Sequence, residues 1–324
     1  VIVIDVNLKY KIGELLQLCP DHLRNIGSIN FIDLNRGDND YWKLGMKKIV
    51  FAKPKVLETM DQKIGSTLKE IEKQYRLPGD KFYESSDYRD ALKCYLKWKD
   101  ELISFYNNTK NESSIELMVC MVKLGETYEQ AGEYDLSMKC FNTILPTQIK
   151  ELGMDNVDVA ETYHLMGWTC SRKRKDDQAM EYFQKSLKIR LKVLDEGHVD
   201  VGHSYNGIAG VYSDKAEYDK ALEYYNKSLD IYINKLGKDH TDVAMSYNNI
   251  ANVYYSQNKY DEALEYYNKS LDIRINKLGK DHTKVATSYN NIANVYQSQN
   301  KYDEALEYMN KALDININKL GKDH

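Results

Sequence analysis

Within residues 237–278, apolar side chains return at spacings of three and four: Tyr247, Ile250, Ala251 and Tyr254 on one run, Ala263, Tyr267 and Leu271 on the next. That period places each set on one stripe of an α-helix, so the stretch predicts two amphipathic helices joined by a short polar turn. Residues 279–320 repeat it at all but six positions: Asp242/Lys284, Met245/Thr287, Tyr255/Gln297, Tyr267/Met309, Ser270/Ala312 and Arg274/Asn316. A helix pair of this size cannot bury its apolar stripe alone. Copies at a fixed period bury it against one another, and the chain grows as an α-solenoid of antiparallel helix pairs.

Small residues extend the pattern toward the N-terminus. Ala91, Ser137, Ala179, Ala221, Ala263 and Ala305 follow at intervals of 46 and then 42 residues. Twelve residues before each stand Gly79, Gly125, Gly167, Ala209, Ala251 and Ala293. Small side chains there let the two helices of a pair cross closely. Aromatics fill the gaps: Tyr128, Tyr212, Tyr254 and Tyr296 on the first helix, Phe141, Phe183, Tyr225 and Tyr267 on the second. Tyr134, Tyr218, Tyr260 and Tyr302 open the second helix, which accounts for much of the chain's 27 tyrosines as core and interface residues. About six pairs are expected over residues 78–324. The earlier units are less regular, with Cys170 in a tyrosine column, Asp176 where Tyr134 would recur, and Pro78 inside the first motif.

The first 77 residues differ. Residues 1–6 (VIVIDV) are β-branched and apolar apart from Asp5, as in a strand buried on both faces of a parallel sheet. Residues 29–34 form a second strand candidate, 35–40 a turn cluster, and 41–52 a helix capped near Asn39 or Asp40. Two strands and a helix cannot close a sheet, so residues 1–52 read as a small α/β remnant, the C-terminal end of a domain. Val56, Met60, Ile64, Leu68 and Ile71 then predict a connector helix within 53–77, interrupted by Gly65 and covering the start of the array. It should end at Leu77-Pro78-Gly79, because proline disfavours helix at the residue before it.

Composition narrows the classes. Charged residues make up 29% of the chain, but the net charge is −4, which gives no footprint for nucleic acid. No apolar run approaches the roughly 18 residues that span a bilayer, so no membrane is expected as partner. Five cysteines without a C-x-x-C pair suit reduced thiols in a cytoplasmic protein. The sequence opens at Val1 without Met and stops at Gly321-Lys322-Asp323-His324, the first four residues of another unit. A fragment of a longer polypeptide is the expectation.

Candidate chemistry is sparse. His198, His240, His282 and His324 recur every 42 residues, one per unit, too far apart to share a metal. A structural role at the loops or helix starts is expected for them. H-E-x-x-H, G-x-S-x-G and Walker patterns are missing, so neither a catalytic residue nor a cofactor or metal site is expected. The positive signal is a second stripe on the first helix of each pair, which in a stacked array lines the concave side. Asn248, Asn252 and Tyr255 lie on it, followed by Asn290, Asn294 and Gln297 in the last unit. His203, Asn206 and Ser213 precede them, and Glu161, His164 and Trp168 come before those. Carboxamides both donate and accept, so such a row suits an extended peptide backbone of any sequence. Trp168 and Tyr255 add aromatic pockets. The amides also suit bonds between neighbouring first helices, and both readings stand.

The motifs Ala251-x2-Tyr254 and Tyr260-x2-Ala263-x3-Tyr267 resemble the tetratricopeptide repeat. The usual period there is about 34 residues. The 42-residue form, with Leu236-Gly237-Lys238-Asp239-His240 and Asn248-Asn249-Ile250-Ala251, is similar to the kinesin light chain subgroup, apart from Thr241 and Thr283 where that subgroup has Pro. The eight extra residues lengthen the second helix through Leu271, Ile273, Ile275 and Leu278. The resemblance implies a right-handed solenoid that acts as a scaffold or adaptor. It also implies that Asn248, Asn252, Asn290 and Asn294, with Asn206, hold a protein or peptide ligand. A clamp for acidic C-terminal peptides would need Lys or Arg in the groove, and the last two units place none there. Residues 1–6, Ile32-Asp33-Leu34 and Tyr41-Trp42 resemble the C-terminal end of a Toll/interleukin-receptor-type domain, which implies an alternative: a sensor array of a signalling enzyme whose catalytic glutamate lies upstream. Self-association through open ends of the stack is a third reading.

Overall fold

The computed structural model describes residues 3–6, 47–50, 64–109 and 115–320. The chain divides into two units, residues 1–74 and 75–324. In the first, β1 (Val3–Val6) and β2 (Lys47–Val50) pair antiparallel, in the register Val3↔Val50 to Val6↔Lys47. Two expectations change here. The partner of β1 is antiparallel rather than a strand of a parallel sheet, and residues 47–50 are extended where the sequence predicts helix. Ile49 and Val50 are β-branched, which favours the extended form, and pairing gives the backbone polar groups of both segments their partners. The strand, turn and helix start expected at 29–34, 35–40 and 41–46, and the connector at 56–63, lie outside the described residues.

The connector also departs from expectation at its end. Residues 64–71 are α-helical, Glu72–Arg76 form a π-helical turn, and α1 (Leu77–Glu84) follows without a break. Pro78 lies at the start of α1. Proline has no N–H to donate back into the preceding turn, and the wider π turn just before it accommodates the change of winding.

Among the described residues, the second unit holds six helix pairs: α1 with α2 (Tyr88–Thr109), α3 (Ile115–Gln130) with α4 (Tyr134–Leu152), and α5 (Val157–Arg172) with α6 (Asp176–Val193). Then come α7 (Val199–Asp214) with α8 (Tyr218–Leu236), α9 (Thr241–Ser256) with α10 (Tyr260–Leu278), and α11 (Thr283–Ser298) with α12 (Tyr302–Leu320). From α3 on, each odd helix packs on its own partner and on the even helix before it. Odd helices also approach one another at α3/α5, α5/α7 and α7/α9, and no two even helices do so comparably. The odd helices therefore occupy the tighter, inner side of the stack.

Within a pair, the turn places one residue at positive φ: +81° at Gly132 and +58° to +60° at Arg174, Ala216, Asn258 and Asn300. Between pairs, Gly237 and Gly279 turn the chain at φ +87° and +84°, a region that favours glycine. The recurrent histidines then start the odd helices. Nδ1 of His198, His240 and His282 accepts the backbone N–H of Asp200, Asp242 and Lys284 at 3.2, 3.2 and 3.0 Å. Asn156 does the same for α5, accepting from Asp158 at 2.7 Å. The expected structural role of these histidines is N-capping.

The core repeats with the units. Ala209, Ala221, Tyr225, Tyr232, Val243, Ala244, Ile250 and Val253 form one buried cluster, and Ala251, Ala263, Tyr267, Val285, Ala286, Ile292 and Val295 belong to the next. Each joins a pair to the following odd helix, so no pair has a core of its own. Close approach depends on bare backbone. A Cβ on Gly125 would stand 2.5 Å from the Phe141 ring, and one on Gly167 2.7 Å from Phe183. Gly202 makes the same room for Tyr232, whose ring a Cβ would meet at 2.8 Å. The equivalent pairs in the neighbouring units are Ala160/Arg190 and Ala244/Arg274.

In that column, Gln148, Arg190 and Arg274 are polar ties to the following odd helix. Gln148 Oε1 accepts from the Thr162 hydroxyl at 2.8 Å. The almost fully buried Arg190 donates to Ser204 Oγ at 2.9 Å and to the Asp200 carbonyl at 2.8 Å, and it also binds Glu161. Arg274 reaches Ser288 Oγ at 2.7 Å and the Lys284 carbonyl at 3.3 Å. At the unit between, the hydroxyls of Tyr232 and Ser246 are buried without a partner among the described residues.

These contacts set a measurable asymmetry. Gly202→Ala overpacks the Tyr232 ring and should lower stability by about 1–3 kcal/mol. Ala244→Gly at the equivalent site opens no clash and should lower it by about 0.5–1 kcal/mol. Urea unfolding followed by circular dichroism compares the two; equal losses would contradict the packing at Tyr232.

Candidate functional site

The inner faces of α5, α7, α9 and α11 carry the predicted stripe, and its amides do two different things. Asn249 Nδ2 donates to Asn206 Oδ1 at 3.1 Å, and Asn291 Nδ2 donates to Asn248 Oδ1 at 2.9 Å. The Tyr255 hydroxyl meets Ser298 Oγ at 2.9 Å. All three bonds join residues 43 apart and tie neighbouring odd helices together as rungs. Asn206 is 5% exposed and belongs to the core side of its rung, not to an open groove. The donors Asn249 and Asn291 did not stand on the predicted stripe. Their signal was the second Asn of each Asn-Asn doublet.

Beside the rungs lie the exposed amides. Asn252 accepts from the Tyr267 hydroxyl, and its NH2 group makes no bond among the described residues. Asn290, Asn294 and Gln297 are exposed, with no side-chain hydrogen bond among the described residues. These four therefore form an open row of donors and acceptors on the last two units.

The α5–α7 step is different. There the rung positions are His164 and Gly207, and a Cβ on Gly207 would lie 2.6 Å from the Phe183 ring. The ring fills the place of a rung donor. His164, placed on the open stripe by its spacing, is instead 7% exposed. Its Nε2 accepts the Trp168 indole N–H at 3.0 Å, and Nδ1 is buried without a partner. Its ring lies 5.3 Å from Phe183 and 6.4 Å from His203. Trp168 sits edge-on to Phe183 at 5.3 Å, so it is a partly buried member of this cluster rather than a free pocket wall. His203 is half-exposed, with Asp200 at 3.6 Å and Asp242 of α9 at 3.9 Å.

Toward the N-terminus the face is ionic. Arg172 pairs with Glu129 at 3.3 Å and Arg190 pairs with Glu161, while Lys123 stands 3.9 Å from both Glu126 and Asp80. Burial pushes the Glu126 carboxyl up to about 7; Lys123 opposes the shift, and Glu161, Asp80 and Glu129 add to it. The expectation that the groove lacks cations in the last two units describes that half alone. Among the described residues, no group of three His, Cys, Asp or Glu could hold a metal ion, and no helix is long and apolar enough to cross a membrane.

Two outcomes follow. Asn249→Leu strands the buried Asn206 carboxamide and should cost about 1–3 kcal/mol, whereas Asn290→Leu should stay within about 0.5 kcal/mol, both read by chemical denaturation. Glu126 has a raised folded-state value, so the folded protein holds a proton that the unfolded chain has lost. Its contribution therefore falls as pH rises through about 7. Glu126→Gln should gain stability on the wild type between pH 5 and pH 8, and a constant difference would contradict the burial.

Comparison with known proteins agrees with this geometry. The tetratricopeptide repeat family profile matches residues 117–192, 200–276 and 259–318, more than half of the chain. No curated protein matches the chain. Among solved structures, BtubC (BKLC) from P. vanneervenii is similar over 71% of this chain and 93% of that one, with TM-score 0.59 and 21% identity. A Podosopora anserina putative kinesin light chain with nearly identical TPR-like repeats gives 0.52 and 20%, over 64% and 98%. A Rap protein complexed with competence and sporulation factor gives 0.57 and 16%, over 79% and 76%. At these identities the likeness is one of fold, while the repeat profile, the helix pairs and their small-residue crossings carry the assignment: the chain belongs to the tetratricopeptide repeat family.

Proposed function

We propose that residues 75–324 form a protein–protein interaction scaffold that holds an extended segment of a partner along the inner face of the odd helices. The row Asn252, Asn290, Asn294 and Gln297 carries this reading, because exposed carboxamides at helical spacing offer both donors and acceptors to a main chain. Asn206 and Asn248 act beneath the row, as rungs that keep its helices in register. Tyr255, bonded to Ser298, borders the row. His203 and Trp168 mark the turn from the amide half of the face to the ionic half. A structural neighbour of the Rap type was solved with a competence and sporulation factor bound, which supports ligand capture by an array of this fold.

A display library of random dodecapeptides, selected on the wild-type chain, supplies the probe. Each hydrogen bond contributes about 1 kcal/mol net, so Asn252→Leu with Asn294→Leu should weaken a selected peptide by roughly 10- to 30-fold. Circular dichroism checks that the double variant keeps its helices. Undiminished binding to the folded variant would place the ligand elsewhere, and a library with no enriched peptide would refute the extended-segment reading.

A further inference from the structure

We propose that the α5–α7 step of the inner face is a proton-responsive joint, locked by neutral His164 and released when that imidazole is protonated. The geometry is a broken ladder. At the following steps the amide of one unit is closed by an amide of the next, at 3.1 and 2.9 Å. At α5–α7 the next unit supplies Gly207, and the Phe183 ring occupies the space. His164 therefore has one bond, from the Trp168 indole to Nε2 at 3.0 Å. An indole N–H only donates, so Nε2 must carry its lone pair and Nδ1 the hydrogen. That Nδ1–H is buried without an acceptor. Taking up a second proton puts hydrogen on Nε2, breaks the Trp168 bond and places a full charge where Nδ1 already lacks a partner.

The surroundings oppose that charge until the step opens. Arg190 faces His164 from α6, and His203 faces it from α7, with the rings 6.4 Å apart. Burial is the largest influence holding the imidazole well below its ordinary value, with Arg190 and His203 acting in the same direction. The nearby carboxylates are already engaged: Glu161 on α5 with Arg190, and Asp200 on α7 and Asp242 on α9 with His203. Glu161 also adds to the upward push on the Glu126 carboxyl of α3. Because the folded His164 resists a proton that the unfolded chain accepts, its contribution is present above about pH 6.5 and is lost as pH falls below it. Glu126 acts with the opposite sign in an overlapping window, so the net pH profile of the wild type cannot isolate the joint, and differences between variants are the quantity to read.

The test uses the whole chain. His164→Asn installs the residue found at the equivalent positions 206 and 248. The unfolding constant of the wild type relative to this variant should rise about tenfold between pH 7.5 and pH 5. A ratio constant within about twofold overturns the proposal. Two measurements on the wild type decide the matter even if the variant does not fold. Nitrogen-15 spectra of the imidazoles should show one histidine in the Nδ1–H form that stays neutral below pH 6; an Nε2–H form, or titration at the ordinary value, refutes the lock. Hydrogen exchange, corrected for intrinsic rate, should show α5 and α7 losing protection at pH 5 while α9 to α11 keep theirs. Uniform loss across the array refutes a local joint.

Discussion

The ring of Phe183 is pressed between two bare helix backbones. Gly167 belongs to its own pair and Gly207 to the next, and a Cβ on either would come within 2.7 Å of the ring. This close approach sets the distance between successive units, and the rest of the inner face inherits it. A rung such as Asn249 to Asn206 closes at 3.1 Å only if the two odd helices stand at a fixed separation. The buried arginine ties depend on the same spacing, since Arg190 reaches Ser204 and the Asp200 carbonyl on the following odd helix. Small residues at the crossings thus act at a distance: they bring no polar chemistry themselves, but they decide which polar groups meet.

Much of this fold was legible because it is local and periodic. The three-and-four spacing of Ile250, Ala251 and Tyr254 fixes which face of α9 is buried, whatever that face packs against. The columns of Gly167 and Ala209, and of Ala179 and Ala221, declare the crossings. What the spacing could not declare was the partner of each side chain on the half-open inner face. Neighbouring odd helices are offset, so a residue meets its counterpart 43 positions on instead of 42. That single-residue slip separates Asn248, which serves a rung, from Asn252, which faces outward. It arises from the stacking of units, and no period within a unit encodes it. Residues 47–50 escaped for another reason: their choice of strand depends on pairing with residues 3–6, some forty positions away. The π turn at 72–76 likewise reflects how the chain accommodates Pro78 rather than any helix-breaking power of proline alone.

The nearly identical fifth and sixth units show how far context governs equal sequences. Leu271 on α10 is 7% exposed, and its copy Leu313 on α12 is 53% exposed. The same side chain is buried in one copy and exposed in the other, because among the described residues a following odd helix covers only the first. Arg274 and Asn316 are one of the six differences between these copies. Arg274 spends its guanidinium on Ser288 of the next unit. In a solenoid, a position is defined by its neighbours as much as by its residue type.

This helps to explain why the inner face divides in chemistry midway along the array. From α9 onward, the residue after the stripe amide is Asn249 or Asn291, and each donates back to an amide of the preceding odd helix. At the α5–α7 step, Gly207 is needed for Phe183, so an amide there is sterically excluded and the rung cannot form. His164, at the acceptor position of the missing rung, accepts from Trp168 on its own helix instead of bonding across to the next one. Packing and polar complementarity compete for one position, and packing wins because a Cβ 2.6 Å from a buried ring must displace the ring, whereas a missing rung strands a single N–H. The consequence is a step held by aromatic contact and one internal hydrogen bond, between an ionic half that is internally neutralised and an amide half whose outer row is exposed.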